Sequence, residues 1–294
     1  MNEYVFEGSG GRMLRCYQSE VENPSAVVVV VHGMQEHALR YEWFAMKLKE
    51  NNIAMFISDL RGHGKNIVEN KPGLDGGDIY EGIVEDYKIF ISKMKEKYPK
   101  AKLVLFGHSY GSFVVQRFVR DYPSIADKFV ICGSSYMNTL LVKSARVIAG
   151  LSRLFKGREA DAKLVEALSI RSYGKGFDGG NWLSRDESVW ERYNKDPLCG
   201  KVFPVAFYQS MFKNLPKNYK GLKKHKKCAP ILLIAGDNDP VGAMGKGVKK
   251  LYDVYKKAGL DVKLKLYEGA RHELLNETNK MEVFGDILEW VNKD

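Results

Sequence analysis

Short aliphatic runs alternate with helix-length amphipathic segments along this chain, and the alternation leaves few architectures open. The strand-like runs are Val27–Val31, Ile53–Ser58, Leu103–Phe106, Phe129–Cys132, Ile231–Ala235 and Val262–Tyr267. Most are apolar at nearly every position, as strands covered on both faces must be. Helical periodicity lies between them: over Tyr41–Asn51, over Ile79–Tyr98 up to Pro99, after Ser109, between the last two strands, and over about Glu277–Val291. Parallel strands need long crossover connections, and helices supply them. The expected fold class is therefore α/β, a mostly parallel central sheet with helices on both faces. Segments near Tyr4–Phe6 and Met13–Gln18 are expected to add antiparallel edge strands.

From about Ser135 to Lys217 the rhythm breaks. The interval is helix-prone, holds Gly174, Gly176, Gly179 and Gly180, and contains no convincing strand run. It is too long to be bare loop in a compact domain. It is expected to form an inserted helical cap over the carboxyl ends of the strands, where such sheets bind ligands. The chain then divides into a first core segment (1–134), the cap (135–217) and a second core segment (218–294). Within the cap, Val147, Ile148, Leu151, Leu154 and Phe155 share one helical face, flanked by Arg146, Arg153, Lys156 and Arg158. That face either packs on the core below or forms a lid helix that touches lipid or lines an acyl pocket.

Charge narrows the partners. The chain carries a formal net charge of +10, but its lysines are spread along the whole length. No basic motif interleaved with aromatics stands out, so nucleic acid is not expected as a partner. The densest cluster, Lys217, Lys220, Lys223, Lys224, Lys226 and Lys227, reads as a solvated loop. Cys16, Cys132, Cys199 and Cys228 form no C-x-x-C pair and have no companion histidine spacing. They read as reduced, mostly buried thiols, with neither a metal nor a redox role. The start, MNEYVFEGSG, lacks a basic-then-apolar leader pattern, and the longest aliphatic run, Ala26–Val31, is far shorter than the ~20 residues a membrane span needs. A cytoplasmic location is expected.

One turn in this framework carries chemistry. Gly107-His108-Ser109-Tyr110-Gly111 joins a strand to a helix and fits G-x-S-x-G, the nucleophile elbow. The turn is so sharp that side chains two residues either side of the serine would strike backbone, hence the glycines. A serine hydroxyl needs a base, and the base an orienting carboxylate, in chain order Ser, Asp or Glu, His. Only His225 and His272 follow Ser109. His225 sits among lysines that would depress its pKa, whereas His272 lies in the loop between the last strand and the last helix. His272 is the expected base. The acid follows the Ile231–Ala235 strand in "GDND". Asp239 is better placed than Asp237, which reads as a loop support. Asp59 precedes the serine, and with His63 it reads as loop-shaping. The expected oxyanion donors are the backbone N–H groups of Tyr110 and of Met34, the latter in the loop "VHGMQEH" that His32 and His37 hold by hydrogen bonds.

With these residues assembled, the chain resembles the α/β-hydrolase superfamily over nearly its whole length. More narrowly, it resembles the monoacylglycerol lipase and lysophospholipase family, also grouped with serine aminopeptidases of the S33 type. The matching pieces are His32-Gly33-Met34-Gln35-Glu36-His37, Asp59–Gly64 (DLRGHG), the Gly107–Gly111 elbow, Gly236–Asp239 (GDND), Arg271-His272-Glu273, and in the cap Trp182–Asp186 (WLSRD) and Asp196–Leu198 (DPL). The family often has glycine at Gln35 and GHSMGG where this chain has GHSYGS, so Tyr110 and Ser112 change size and polarity beside the serine. The resemblance implies an α/β-hydrolase fold with an inserted helical cap. It also implies a serine hydrolase with Ser109 as nucleophile, Asp239 as acid, His272 as base, and Met34 and Tyr110 as oxyanion donors. Such an enzyme cleaves carboxylic esters through an acyl-enzyme and needs no cofactor. The implied substrate is a single-chain lipid ester, a monoacylglycerol or lysophospholipid, met in a transient membrane or micelle contact through the cap. Alternatives are a short-chain carboxylesterase, an aminopeptidase that would hold its substrate amine with Asp186 or Glu187, or a non-catalytic ligand-binding homologue.

Overall fold

The computed structural model describes residues 1–168, 170–222 and 227–293. Eight strands form one sheet: β1 (Asn2–Glu7), β2 (Met13–Ser19), β3 (Ala26–Val31), β4 (Ile53–Ser58), β5 (Lys102–His108), β6 (Lys128–Cys132), β7 (Ile231–Gly236) and β8 (Val262–Tyr267). Their spatial order is β1-β2-β4-β3-β5-β6-β7-β8. The β1–β2 and β2–β4 pairs are antiparallel, and every later pair is parallel.

Burial explains why the central strands are aliphatic throughout. Every residue of β3, β4, β6 and β7 is buried. Successive side chains point to opposite faces, so one strand serves two cores. Val27, Val29 and Val31 join a core with α2 (Ile79–Lys97), α3 (Tyr110–Asp121) and α9 (Lys246–Lys257). Val28 and Val30 join the other, with α1 (Glu42–Glu50) and α10 (Lys280–Asn292). The last helix starts three residues later than its periodicity predicts. Glu277 instead turns its carboxylate to the N–H groups of Arg185, Arg271 and Thr278.

The interval between β6 and β7 is helical: α4 (Leu140–Lys156), α5 (Lys163–Leu168), α6 (Ile170–Tyr173), α7 (Glu187–Lys195) and α8 (Val205–Asn214). The α4 helix packs on α8, which in turn packs on α2. Most of the apolar face of α4 does not pack on the core, Ile148 being the member that does. Val142 and Ala149 are its buried residues and Ile148 is half-buried, while Val147, Leu151, Leu154 and Phe155 are exposed. A helical period identifies a face but not the side to which it turns. Among the described residues no helix is long and apolar enough to cross a membrane. His225 and Lys223, Lys224 and Lys226 of the lysine cluster lie outside the described residues.

Candidate active site

All the candidate residues sit just past the carboxyl ends of strands. Ser109 follows β5 and precedes α3, with φ 52° and ψ −120°, a strained conformation for a residue with a Cβ. Its N–H is anchored on the Cys132 carbonyl at 3.0 Å. Gly111 makes this turn accessible, since a Cβ there would run into the backbone oxygens of Val31 and His32. The substitution at Ser112 fits the same turn: its hydroxyl donates to the Ser109 carbonyl at 2.5 Å and lies 2.7 Å from the Ser134 hydroxyl. The Tyr110 ring is buried against Tyr80, His63 and Phe207.

His272 and Asp239 come together from the loops after β8 and β7. Nδ1 of His272 is 3.0 Å from Oδ2 of Asp239, and both side chains are buried. The other Asp239 oxygen accepts the Val241 N–H at 2.8 Å. Asp237 accepts the Gly269 N–H at 2.8 Å and braces the neighbouring loop, as its position predicts. Nε2 of His272 has no hydrogen bond to a described residue, and Ser109 and His272 border the same cavity. Trp182 of the WLSRD segment lies over the His272 ring, 5.0 Å between centroids. Its carbonyl accepts the His272 N–H at 3.4 Å.

The loop after β3 lies against the elbow. A Cβ on Gly33 would come 3.2 Å from the Ser109 Cβ and 2.6 Å from Glu36 Oε1, so only glycine allows this approach. Neither the Met34 nor the Tyr110 amide donates to the backbone of a described residue. The other histidines and Asp59 shape the loops. His32 Nε2 accepts the Leu60 N–H at 2.9 Å, and His37 Nε2 meets Asp196 at 2.8 Å. Asp59 accepts the N–H groups of Ala38 and Lys65, each at 2.8 Å, and His63 Nδ1 is 2.9 Å from the Arg61 carbonyl.

Sequence reasoning missed a buried charge network behind this loop. Glu36 Oε1 accepts from the Gly33 N–H at 2.5 Å and the Tyr41 hydroxyl at 2.9 Å, and lies 3.3 Å from His108 Nδ1. Its Oε2 takes Arg40 Nη1 at 2.7 Å. Burial would raise the Glu36 carboxyl, but His108 and Arg40 outweigh it and hold the group well below the usual carboxylate range. Burial would likewise lower His108, but the Glu36 hydrogen bond and charge raise it. His108 Nε2 lies 3.2 Å from the His272 carbonyl, which can only accept. His108 thus ties the loop carrying Met34 to the loop carrying His272. The residues were visible in HGMQEH and in the elbow, but no spacing rule signals their pairing.

His37, Asp196 and Cys199 bring one donor atom each within 4.8 Å of one another. His37 and Asp196 already satisfy each other, and burial pushes the Cys199 thiol up, away from the thiolate a metal would need, so the trio reads as a tie between the first loop and the chain after α7.

Above Ser109 lies a cavity of about 480 Å³, with a predominantly apolar lining that includes Met34, Phe113, Ile148, Trp182, Leu215 and Val241. Its bordering carboxylates, Glu36 and Glu273, are both held by Arg40. Asp186 faces its own helix and accepts the N–H and hydroxyl of Ser188 at 3.0 and 2.6 Å.

A strained serine between a parallel strand and a helix, with an Asp–His pair on the loops of later strands, defines the chain as an α/β-hydrolase. Residues 22–279 match the family described as serine aminopeptidase, S33, and the chain belongs to that family. It is 27% identical over 307 residues to the monoacylglycerol lipase of Mycolicibacterium smegmatis, spanning 99% of this chain and 96% of the relative. It is 27% identical over 287 residues to the human monoglyceride lipase, spanning 96% and 88%. The structure resembles that of a highly thermostable carboxyl esterase from Bacillus coagulans in complex with glycerol. That similarity has a TM-score of 0.87 and 27% identity and covers 99% of this chain and 97% of the other. Fold, family and relatives together make the chain a carboxylic ester hydrolase.

Proposed function

We propose that this ester hydrolase cleaves single-chain lipid esters, monoacylglycerols or lysophospholipids, with Ser109, His272 and Asp239 as its catalytic triad. In this reading residues 135–217 serve as a cap over a core made of 1–134 and 218–294. Ser109 Oγ attacks the ester carbonyl while His272 Nε2 takes its proton. Asp239 steadies the resulting imidazolium through Nδ1. The Met34 and Tyr110 amides stabilise the oxyanion, and His272 returns the proton to the departing alcohol. Water, deprotonated by His272, then adds to the acyl-enzyme; Ser109 leaves with the proton and the fatty acid is released.

The observation that carries the reading is the large apolar cavity that Ser109 and His272 border. An acyl chain would fill it, and a small polar substrate would leave most of it wet. The exposed apolar residues of α4 support delivery from a membrane or micelle, because a patch of that kind is a contact surface for lipid. The names of the monoacylglycerol lipase relatives agree with this substrate class. The aminopeptidase alternative is weakened, since Asp186 caps a helix and the carboxylates bordering the cavity are both already engaged by Arg40.

An ester panel tests the proposal. Activity measured as kcat/KM should rise with acyl length across monoacylglycerols and lysophosphatidylcholines. Equal turnover of acetyl and long-chain esters would overturn the lipid assignment, and faster cleavage of an aminoacyl amide would favour the peptidase. Labelling by a fluorophosphonate, absent in Ser109→Ala, tests the nucleophile separately.

A further inference from the structure

A second cavity lies on the outside of the α4–α8 layer, away from Ser109. It is a cleft of about 410 Å³ between α4, α8 and the Gly76–Asp78 turn. Arg146, Gly150 and Arg153 face it from α4 at i, i+4 and i+7, the spacing of one helical stripe. Arg158 closes it from the chain after α4, and Lys213 from α8.

The lining thus holds four cations and one carboxylate, Asp78. That carboxylate is already engaged by Lys213 at 3.0 Å, by Asn214 and by Ser210. Arg158 donates through Nη2 to the Gly76 carbonyl at 2.6 Å, while its Nε is buried without a partner among the described residues. Among the described residues, Arg153 has its hydrogen bond with the neutral Gln209, at 3.4 Å, and no ion pair. Arg146 has no ion pair with a described residue. The cleft therefore holds uncompensated positive charge, with guanidinium donors oriented into a concave site, the chemistry that selects phosphate oxygens.

The position of the cleft indicates which phosphate it takes. It runs along one flank of the exposed apolar face of α4, where Leu154 and Phe155 are 76% and 81% exposed. The helix carries Lys143, Arg146, Arg153 and Lys156, and no acidic residue. An apolar face bordered by cations alone suits the boundary between anionic headgroups and acyl chains. We propose that the cleft seats the phosphate of an anionic phospholipid headgroup while the exposed face of α4 enters the acyl layer, docking the protein on anionic membranes. This builds on the lipid-surface contact proposed above, and adds the site and the headgroup charge that contact prefers.

The full chain, sedimented with vesicles, tests it. Wild type should bind vesicles of phosphatidylcholine and phosphatidylglycerol in equal parts at least tenfold better than phosphatidylcholine alone, and added salt should reduce the difference. R146Q/R153Q should abolish the preference while leaving hydrolysis of soluble p-nitrophenyl butyrate unchanged. L154S/F155S, both changes at exposed positions, should weaken binding to both vesicles. Equal binding to the two vesicles, or a preference surviving in R146Q/R153Q, overturns the proposal. So does a rise in melting temperature with inorganic phosphate that is lost in R146Q/R153Q but accompanied by no vesicle binding, because the cleft would then be a site for a free anion. Hydrolysis of p-nitrophenyl butyrate reports the esterase reading independently of docking.

Discussion

Arg40 holds Glu273 by two parallel hydrogen bonds, Nη1 to Oε1 at 2.7 Å and Nη2 to Oε2 at 2.8 Å. One partner precedes α1 in the chain after the Met34 loop, and the other directly follows His272. Arg40 also bonds Glu36, so one guanidinium bridges two buried carboxylates and fixes the separation of two loops that the proposed mechanism needs together.

Arg40→Gln leaves both carboxylates buried without their cation, which should destabilise the fold by about 3 kcal/mol. Displacement of the two loops should lower kcat by roughly 10- to 100-fold with less change in KM. Arg40→Lys keeps the charge but loses the fork geometry and should fall between the two. Thermal melts and steady-state kinetics on one soluble ester measure both effects; a wild-type kcat in Arg40→Gln would remove the positioning role.

Why this network was illegible in the sequence, when the elbow was not, follows from distance along the chain. The elbow is a local pattern, and its strand and helix lie on either side of it. Strands such as β3 read clearly because both faces are buried and every position is therefore apolar. Asp239 and His272 could be selected because chain order restricts the search, and they lie within hydrogen-bonding distance of each other. Arg40 and Glu273 are 233 residues apart, and no periodicity links them. The outward turn of the α4 apolar face was equally hidden, since a face is set by spacing but its neighbour is set by the tertiary fold.

Ser109→Gly separates strain from catalysis. At φ 52° and ψ −120° the serine Cβ is held in a region that L residues avoid, and glycine is not so restricted. The Ser109 side chain makes no hydrogen bond to a described residue that the change would lose. We expect Ser109→Gly to be inactive yet more stable by about 1 kcal/mol, or about 2 °C in melting temperature for a chain of this length. Ser109→Ala, which keeps the Cβ, should be inactive without that gain. Calorimetry of the three proteins decides it, and equal melting temperatures would show that the turn stores no strain.

Acid sensitivity should trace to His63. Burial, reinforced by nearby His32, pushes its imidazole from 6.5 down to about 3. The unfolded chain binds a proton there as pH falls below 6.5, and the folded chain does not. Stability from this residue is therefore full above 6.5 and is lost progressively toward pH 3, on the order of 5 kcal/mol in all. His108 has the opposite sign. Its value is raised, so its contribution persists in acid and is lost as pH rises through the folded value. His63→Phe can keep the ring contacts with Phe203 and Phe207 and should flatten the acid limb of a denaturation series between pH 6.5 and 3. An unchanged slope would place the acid sensitivity elsewhere, with buried His32, also lowered by burial, the next candidate.

Glu166 joins the segment between β6 and β7 to the loop that carries Met34. Its Oε1, in a residue only 3% exposed, accepts from Gln35 Nε2 at 2.8 Å, the Phe203 N–H at 2.9 Å and the Tyr208 hydroxyl at 3.0 Å. This gives a physical reason for Gln35, the side chain that stands where the family often has glycine. Glu166→Ala would leave three buried donors unpaired, each costing about 1 to 3 kcal/mol before relaxation. Tyr208 borders the cavity and Gln35 adjoins Met34, so the loss should reshape the acyl site as well as weaken the fold. KM for long-chain esters should rise in Glu166→Ala well before that for acetyl esters. Glu166→Gln keeps an acceptor oxygen and should restore most of the stability and the chain-length preference. If Glu166→Ala altered short and long substrates equally, the carboxylate would be a fold support without a part in selecting the acyl chain.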